Sequence, residues 1–579
     1  MKSVAKRNNN LVGVANGGTL ALRPMLKGGA AGGIPGATRR LATTRALPNA
    51  RMMHHHNHSS EHVGACGCPC SSGRNPTFFY RGLDLSSSRK VEHFVSANRS
   101  RLSTRFLQQA HRQTGAAQLL QQASCFSTSG AAVPSLDDES DYAFEMAGSN
   151  VRYGEGVTRE IGLDMVDMGA KHVIVFTDPH LKSLPCVATV LQSLQDHRIK
   201  FTLYDQVKVE PTDKSFQHAS RFVLQEAEKT AGGQFDAVIA VGGGSVMDTA
   251  KAANLYSTYP PENFLDYVNP PIGKGLPPPG PLKPFIAVPT TAGTGSEATG
   301  VAIFDLEGTG SKTGIAHRRL KPTLALVDPN NARTMTPEIK AASGFDVLCH
   351  ALESYTAIPF NKRTPRPKTP LLRPAYQGSN PIADVWSLQS LGMLAKYFFR
   401  SVEDENDAEA RSQMMLAATF AGIGFGSAGV HLCHGMSYPV SSMAHKLNYV
   451  PKGYPVDHPM VPHGMSVVLH APAVFRYTAK ADPARHLQVA RLMGATTATH
   501  NKSEGEEGEA AGELLAERII YYMQRLKMPR GLTELGVRKE DVPKLVQGTL
   551  PQHRVLKLAP LPTASEELTS LFNQSMSIW

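Results

Sequence analysis

Short apolar runs separated by longer amphipathic stretches organise the chain between residues 171 and 329. KHVIVFTD (171–178), KFTLYDQV (200–207), FDAVIAVGGG (235–244), PFIAVPTTAGTGSE (284–297) and TLALVDP (323–329) each set a continuous apolar core before a polar or glycine turn. That is the pattern of strands buried on both faces. Stretches of helical spacing, such as SFQHASRFVLQEAEKT, lie between them. Strand–helix alternation predicts an α/β region with an open, mainly parallel, Rossmann-like sheet. Beyond about residue 330 the strand signals fade. IADVWSLQSLGMLAKYFFRSV, AEARSQMMLAATFAGIGFG and GELLAERIIYYMQRL carry helical spacing, so an all-helical region is expected to follow. Two proline-rich or polar insertions, 361–374 and 441–461, interrupt it.

Charge divides the chain differently. The net charge of +11 is concentrated in residues 1–135, which hold 17 Lys/Arg against 3 Asp/Glu, whereas the remainder holds 43 against 46. A near-neutral folded part argues against nucleic-acid binding. The acid-poor, Arg- and Ser-rich N-terminus has the composition of a mitochondrial transit region. MHHHNHSSEHVGACGCPC within it is read as incidental low complexity. Order is expected to begin near Asp141, which gives three parts: 1–135 transit and low-complexity, 136–330 α/β, 331–579 helical. The seven cysteines, odd in number and scattered, resemble no disulfide framework and suit a reducing compartment. No apolar run approaches the ~20 residues of a membrane span.

Two glycine turns carry the first candidate chemistry. VIAVGGGSVMDTAK (238–251) runs from strand through Gly242, Gly243 and Gly244 into a helix start at Ser245. Glycines let the backbone approach a pyrophosphate, and a helix N-terminus offers free N–H groups and a positive dipole end. The spacing departs from GxGxxG, so the ordinary dinucleotide fingerprint is absent. PTTAGTGSE (289–297) adds a second turn with Thr290, Thr291, Thr294 and Ser296. Asp178, directly after a strand, is placed to accept hydrogen bonds from a ribose and to repel a 2′-phosphate, which favours NAD over NADP.

The second constellation is a donor set. Asp346 and His350 in SGFDVLCHALES stand four apart, on one helix face. His434 in VHLCHGMSYP and His463 in VPHGMSVV add two imidazoles. One carboxylate and three imidazoles suit a catalytic divalent metal, iron(II) or zinc, with a coordination position left for a substrate oxygen. His431, His445, His458 and His470 are also present, so spacing alone does not select the ligands.

GGGSVMDTAK, PTTAGTGSE, SGFDVLCHALE and HGMSYP…VPHG together resemble the iron-containing (group III) alcohol dehydrogenase family, from about residue 141 to the C-terminus. EPTDKSF, NFLDYVNPPIGKG, RPAYQGSNPI, AGVHLCHGMSYP and KLAP resemble a mitochondrial branch of it that exchanges hydride between a hydroxy acid and an oxo acid. The resemblance implies an active site in the cleft between an α/β and a helical domain, over which insertions 361–374 and 441–461 are then expected to close. It implies metal ligation by Asp346, His350, His434 and His463, and cofactor contacts from Gly242, Gly243, Gly244, Ser245, Asp248, Thr290, Thr291, Thr294 and Lys312. Many relatives carry a histidine where this chain has Tyr438, which marks the Tyr438 hydroxyl as the substitute proton relay beside His434. The implied reaction is oxidation of 4-hydroxybutyrate to succinate semialdehyde coupled to reduction of 2-oxoglutarate, through tightly bound NAD and a divalent metal acting as Lewis acid. The alternatives are an NAD-dependent alcohol dehydrogenase that releases its cofactor, and a non-catalytic metal- or nucleotide-binding protein. The implied partners are small hydroxy-acid and oxo-acid substrates, with no nucleic acid or membrane and with homo-oligomer formation open; the implied location is the mitochondrial matrix. Substrate carboxylates need a cationic anchor, for which Arg318, Arg319, Lys362, Arg363, Arg366 and Arg373 are candidates.

Overall fold

In the computed structural model, the residues described are 139–579, apart from 309–310, 457 and 497–503. The transit segment and the His/Cys tract at 52–70 lie outside them. Eight strands form: β1 (Asn150–Tyr153), β2 (His172–Phe176), β3 (Lys200–Tyr204), β4 (Ala237–Gly242), β5 (Phe285–Pro289), β6 (Val301–Leu306), β7 (Ser311–Ala316) and β8 (Leu324–Val327). Six make one sheet in the order β1-β8-β5-β4-β2-β3, with every pairing parallel. Helices α1 (Ile161–Asp167), α2 (Pro185–Asp196), α3 (Asp213–Ala227) and α4 (Gly244–Thr258) cover it. Two apolar layers, one around Val173, Val175, Ile239 and Ile286 and the other around Ile174, Phe176, Val238 and Ala240, show that β2 and β4 are buried on both faces. This is why these strands read as unbroken apolar runs.

Two features depart from the expected five strands. β1 is a polar, partly exposed edge strand held only by β8. β6 and β7 form a separate antiparallel hairpin, from Val301↔Ala316 to Leu306↔Ser311, outside the parallel sheet. An aromatic cluster of Phe216, Phe264 and Phe304 packs the hairpin against α3.

Past Val327 the named elements are helical: α5 (Pro337–Thr356), α6 (Pro381–Glu403), α7 (Ala408–Ala428), α8 (Leu432–Ser442), α9 (Ala444–Leu447), α10 (His463–Val468), α11 (Ala471–Thr478), α12 (Pro483–Leu492), α13 (Glu504–Arg525), α14 (Val542–Thr549), α15 (His553–Leu556) and α16 (Ser565–Ser575). The long helix α5 begins at Thr336, whose side chain accepts from the Ile339 N–H, and at Pro337 in the first turn. Its residues from Gly344 to Thr356 are buried throughout, in a core shared with Leu391, Phe398, Met415 and Val474. Any polar side chain on it must therefore be satisfied inside the protein. Among the described residues no single helix is long and apolar enough to cross a membrane. Cys186, Cys349 and Cys433 are buried free thiols.

Candidate active site

The strand order sets where a ligand binds. From β2 the chain moves outward to β3, crosses back to β4, and then runs the other way through β5 to β8. The neighbours β2 and β4 therefore flank a topological switch point, where the carboxyl ends of open α/β sheets leave a crevice. Asp178 follows β2, Gly243 and Gly244 follow β4, and Thr290 and Thr291 follow β5, so all three turns open into the same crevice. Thr177 Oγ1 donates to the Val241 carbonyl (3.0 Å) and the Thr290 N–H to the Gly242 carbonyl (3.1 Å), which ties the three strand ends together.

The glycine turns touch each other. A Cβ built on Gly243 would lie 3.2 Å from Thr291 Cγ2, and one on Gly244 would lie 2.7 Å from Thr294 Cγ2. Behind them the buried Lys251 ammonium donates to the Ser296 carbonyl (2.8 Å), Ser296 Oγ (2.6 Å) and the Val301 carbonyl (2.9 Å). Asp248 accepts from Ser296 Oγ (2.7 Å) and from the Ile303 N–H (2.9 Å). Asp248 therefore braces the second turn from within, although it also borders the cavity. Gly243, Gly244, Ser245, Thr290, Thr291, Thr294 and Asp178 line the crevice, and Ser245 and Thr294 reach the metal-side cavity as well. Gly242 lines neither space; it ends β4. Asp178 Oδ1 already accepts from the His180 (2.9 Å) and Leu181 (2.8 Å) N–H groups. Lys312 reaches the metal-side cavity but is held by Glu210 and by Asp305 (3.3 Å), so two carboxylates engage its charge.

Across the cleft, Asp346 Oδ1 lies 3.6 Å from His350 Nε2, 3.5 Å from His434 Nε2 and 3.7 Å from His463 Nε2. These separations are long for hydrogen bonds. They suit donors sharing one cation, since two ligands at ~2.1 Å in tetrahedral array stand roughly 3.4 Å apart. The ligand atoms of Asp346, His350 and His434 all fall within 4.8 Å of one another. His463 joins them from the rim, its side chain 28% exposed, close to Asp346 but outside that tight trio. Asp346 Oδ1 and His434 Nε2 are buried with no hydrogen-bond partner, which is the condition of ligand atoms awaiting a cation. The residues therefore fit a divalent metal.

Local structure explains the convergence. Asp346 and His350 are one turn apart on α5, and His350 is held flat against Phe425 (3.9 Å between ring centres). α10 reaches α5 because Gly464 has no side chain: a Cβ there would lie 1.9 Å from the Ala342 carbonyl oxygen. His434 is fixed by Glu353, seven residues after Asp346 on the same helix. Glu353 Oε1 accepts from the N–H groups of His431 (3.0 Å) and Cys433 (2.7 Å) at the start of α8, and Oε2 accepts from His434 Nδ1. One buried carboxylate thus caps a helix and sets the His434 tautomer, leaving Nε2 to point at the cation. Burial pushes the Asp346 carboxyl up, but His350, His463 and His434 outweigh it and hold it well below the usual range. Burial pushes Glu353 up too; His434 outweighs it and draws the carboxyl down to about 2. Burial lowers His350 to about 3, leaving it neutral and fit to donate a lone pair.

The other histidines fall away. His431 Nε2 meets Thr356 Oγ1 (3.1 Å) and His470 Nδ1 meets Ser575 Oγ (3.1 Å), both in the core; His458 borders a neighbouring pocket. The His445 side chain lies outside the described set. The outer cations also fall away from the site. Arg318 pairs with Glu145, Arg363 and Arg373 pair with Asp141 (3.7 and 2.9 Å), Arg319 donates to the Pro278 carbonyl, Arg366 lies over the Tyr142 ring (5.2 Å), and Lys362 is exposed. Insertion 361–374 thus packs toward Asp141 instead of closing the cleft. Insertion 441–461 does reach it, through Tyr454, Pro455, Val456 and Met460.

Sequence reasoning missed Glu353 and Arg554. Glu353 continues the Asp346, His350 stripe at helical spacing, so its signal was present. Arg554 has no local signal: it stands on the short helix α15, and its Nη2 donates to the Tyr438 hydroxyl (2.9 Å) from 116 residues away.

A model of iron-containing alcohol dehydrogenase matches residues 148–329, and one of the Fe-containing alcohol dehydrogenase family, C-terminal, matches 375–576. The chain is 55% identical over 439 residues to the mitochondrial hydroxyacid-oxoacid transhydrogenase of Bos taurus, covering 76% of this chain and 91% of that one. A crystal structure of 1,3-propanediol oxidoreductase superposes with a TM-score of 0.63 at 23% identity, covering 75% of this chain and all of that one. Sulfoacetaldehyde reductase from Bifidobacterium kashiwanohense, solved in complex with NAD+, gives 0.57 at 23% identity over 75% and 98%.

Proposed function

This chain belongs to the iron-containing alcohol dehydrogenase family, and from that membership we propose that it carries hydride from a hydroxy acid to an oxo acid without releasing a dinucleotide. It is an oxidoreductase acting on CH–OH groups. The observation that carries the reading is the meeting of four metal-competent donors with two glycine turns in one cleft. The mitochondrial transhydrogenase relative supports the hydroxy-acid chemistry.

Asp346, His350, His434 and His463 would hold a divalent cation, iron(II) or zinc; Gly243, Gly244, Ser245, Thr290, Thr291 and Thr294 would cradle NAD, with Asp178 toward its ribose. When bound, the cation would supply Lewis acidity toward a substrate hydroxyl and the dinucleotide would supply a hydride acceptor and donor. Glu353 keeps His434 Nε2 aimed inward. Tyr438 accepts from Arg554, which leaves its own O–H free to donate, and it borders the cavity beside His463, 6.4 Å between ring centres. It is the group placed to pass the substrate proton. Tyr454, Pro455, Val456 and Met460 line the cofactor side of the cleft, where they would slow exit of a bound dinucleotide. The substrates are 4-hydroxybutyrate and 2-oxoglutarate, and residues 1 to about 135 direct import to the mitochondrial matrix.

Deuterium at C4 of 4-hydroxybutyrate is expected at C2 of 2-hydroxyglutarate even with excess unlabelled NADH in solution. Double-reciprocal plots against the two acids are expected to be parallel. Washout of the label into the NADH pool rejects the reading in favour of an ordinary NAD-dependent alcohol dehydrogenase.

A further inference from the structure

We propose that Arg554 is the carboxylate anchor that gives this site its preference for acids, a step that rests on the hydroxy-acid reading above. The guanidinium stands on α15, with its carbon 5.1 Å from the centre of the Tyr376 ring and Nη2 2.9 Å from the Tyr438 hydroxyl. Tyr376 and Tyr438 line the same cavity as Asp346, His350, His434 and His463. Arg554 therefore stands at the aromatic end of the cavity, behind the two tyrosines.

Its electrostatic state points to a missing partner. Arg554 Nη1 is buried and has no hydrogen-bond partner, and among the described residues no carboxylate lies within ion-pair distance of the side chain. The residue as a whole is half-buried, but a charged nitrogen shut away from water is costly unless it is paired. Lys312, which lines this cavity, is engaged by Glu210 and Asp305, whereas Arg554 stands behind the Tyr376 and Tyr438 wall. The anion that Arg554 lacks is supplied by substrate.

The segment is fixed in place. Gln552 Nε2 donates to the Lys312 carbonyl on β7 (2.9 Å), and the Ile358 N–H donates to the Leu558 carbonyl (2.9 Å). An anchor held this way selects by chain length. In 4-hydroxybutyrate two methylenes separate the reacting carbon from the carboxylate. In 2-oxoglutarate two methylenes separate the keto carbon from its far carboxylate. One cation at one distance thus serves both half-reactions.

The test compares 4-hydroxybutyrate with 1-butanol, which carries a methyl group where the acid carries its carboxylate. In Arg554→Met the ratio of kcat/KM for the acid to that for the alcohol is expected to fall about 100-fold, with KM for 2-oxoglutarate rising in step. Arg554→Lys should keep part of the ratio, since it retains a charge without the planar fork. The inhibition constant of glutarate, which cannot react, should rise with the same ranking. Wild-type protein should prefer 4-hydroxybutyrate over 3-hydroxypropionate and 5-hydroxypentanoate, a readout that needs no variant. Parallel loss on acid and alcohol with the ratio unchanged, an unchanged ratio at full activity, or no chain-length optimum overturns the anchor and leaves the hydroxy-acid reading standing. Wild-type protein that uses 1-butanol as well as 4-hydroxybutyrate overturns both.

Discussion

The two walls of the cleft are built from different materials. The α/β wall presents backbone: glycine turns packed on threonines, with buried Lys251 and Asp248 bracing them from behind. The helical wall presents side chains: Asp346 and His350 from α5, His434 from α8 and His463 from α10 converge on a point that no single segment defines. A backbone wall fails when atoms are added, and a side-chain wall fails when they are removed.

The largest effect is expected on the helical wall. His434→Ala removes one of four donors and should cost on the order of 10³-fold or more in turnover. Metal content should fall while the circular dichroism spectrum and dinucleotide binding persist. Full activity in a metal-depleted His434→Ala protein would show that the side-chain wall is not the catalytic one. On the other wall, Gly244→Ala places a methyl group 2.7 Å from Thr294 Cγ2 and should weaken dinucleotide binding by about 100-fold with metal content intact. An unchanged NAD affinity by titration calorimetry would break the contrast between added and removed atoms.

Glu353→Gln sharpens it further, because it touches neither substrate nor cofactor. The amide keeps the shape but loses the charge that His434 Nδ1–H meets. Metal affinity should fall by roughly 10–100-fold, with turnover recovering at saturating metal. Turnover that stays low at saturating metal would mean that Glu353 does more than orient His434.

The smallest effect concerns acid stability, which the helical half sets in part through buried imidazoles outside the site. His486 bonds Thr478 Oγ1 (2.9 Å) and the Asp482 carbonyl (2.8 Å), and burial lowers it to about 4 from its ordinary 6.5. The unfolded chain binds more protons between those values. The His486 contribution is therefore complete above pH 6.5 and is lost as pH falls toward 4, with a slope of at most about 1.4 kcal/mol per pH unit. His486→Gln should flatten the denaturation midpoint against pH in that window; an unaltered slope would assign the acid lability elsewhere.

What could be read beforehand follows the same division. The buried strands and both glycine turns were legible because a doubly covered strand is apolar without interruption and a close backbone approach demands glycine locally. The edge strand β1 was not, since Asn150 to Tyr153 is polar and exists only because β8 pairs with it. The β6–β7 hairpin was missed because it stands outside the parallel alternation.

On its own, the sequence determined the α/β-then-helical order, the two glycine turns, the Asp346–His350 pair and the acid-poor N-terminus, since each is local in composition or spacing. Spacing left open which histidines join that pair and the family resemblance named His434 and His463; only the tertiary structure decided that they converge with it, that Glu353 orients His434, and that the half-buried guanidinium near the site belongs to Arg554 instead of the six earlier candidates. Convergence, burial and the absence of a counter-charge are properties of packing between segments a hundred residues apart, and no local pattern encodes them.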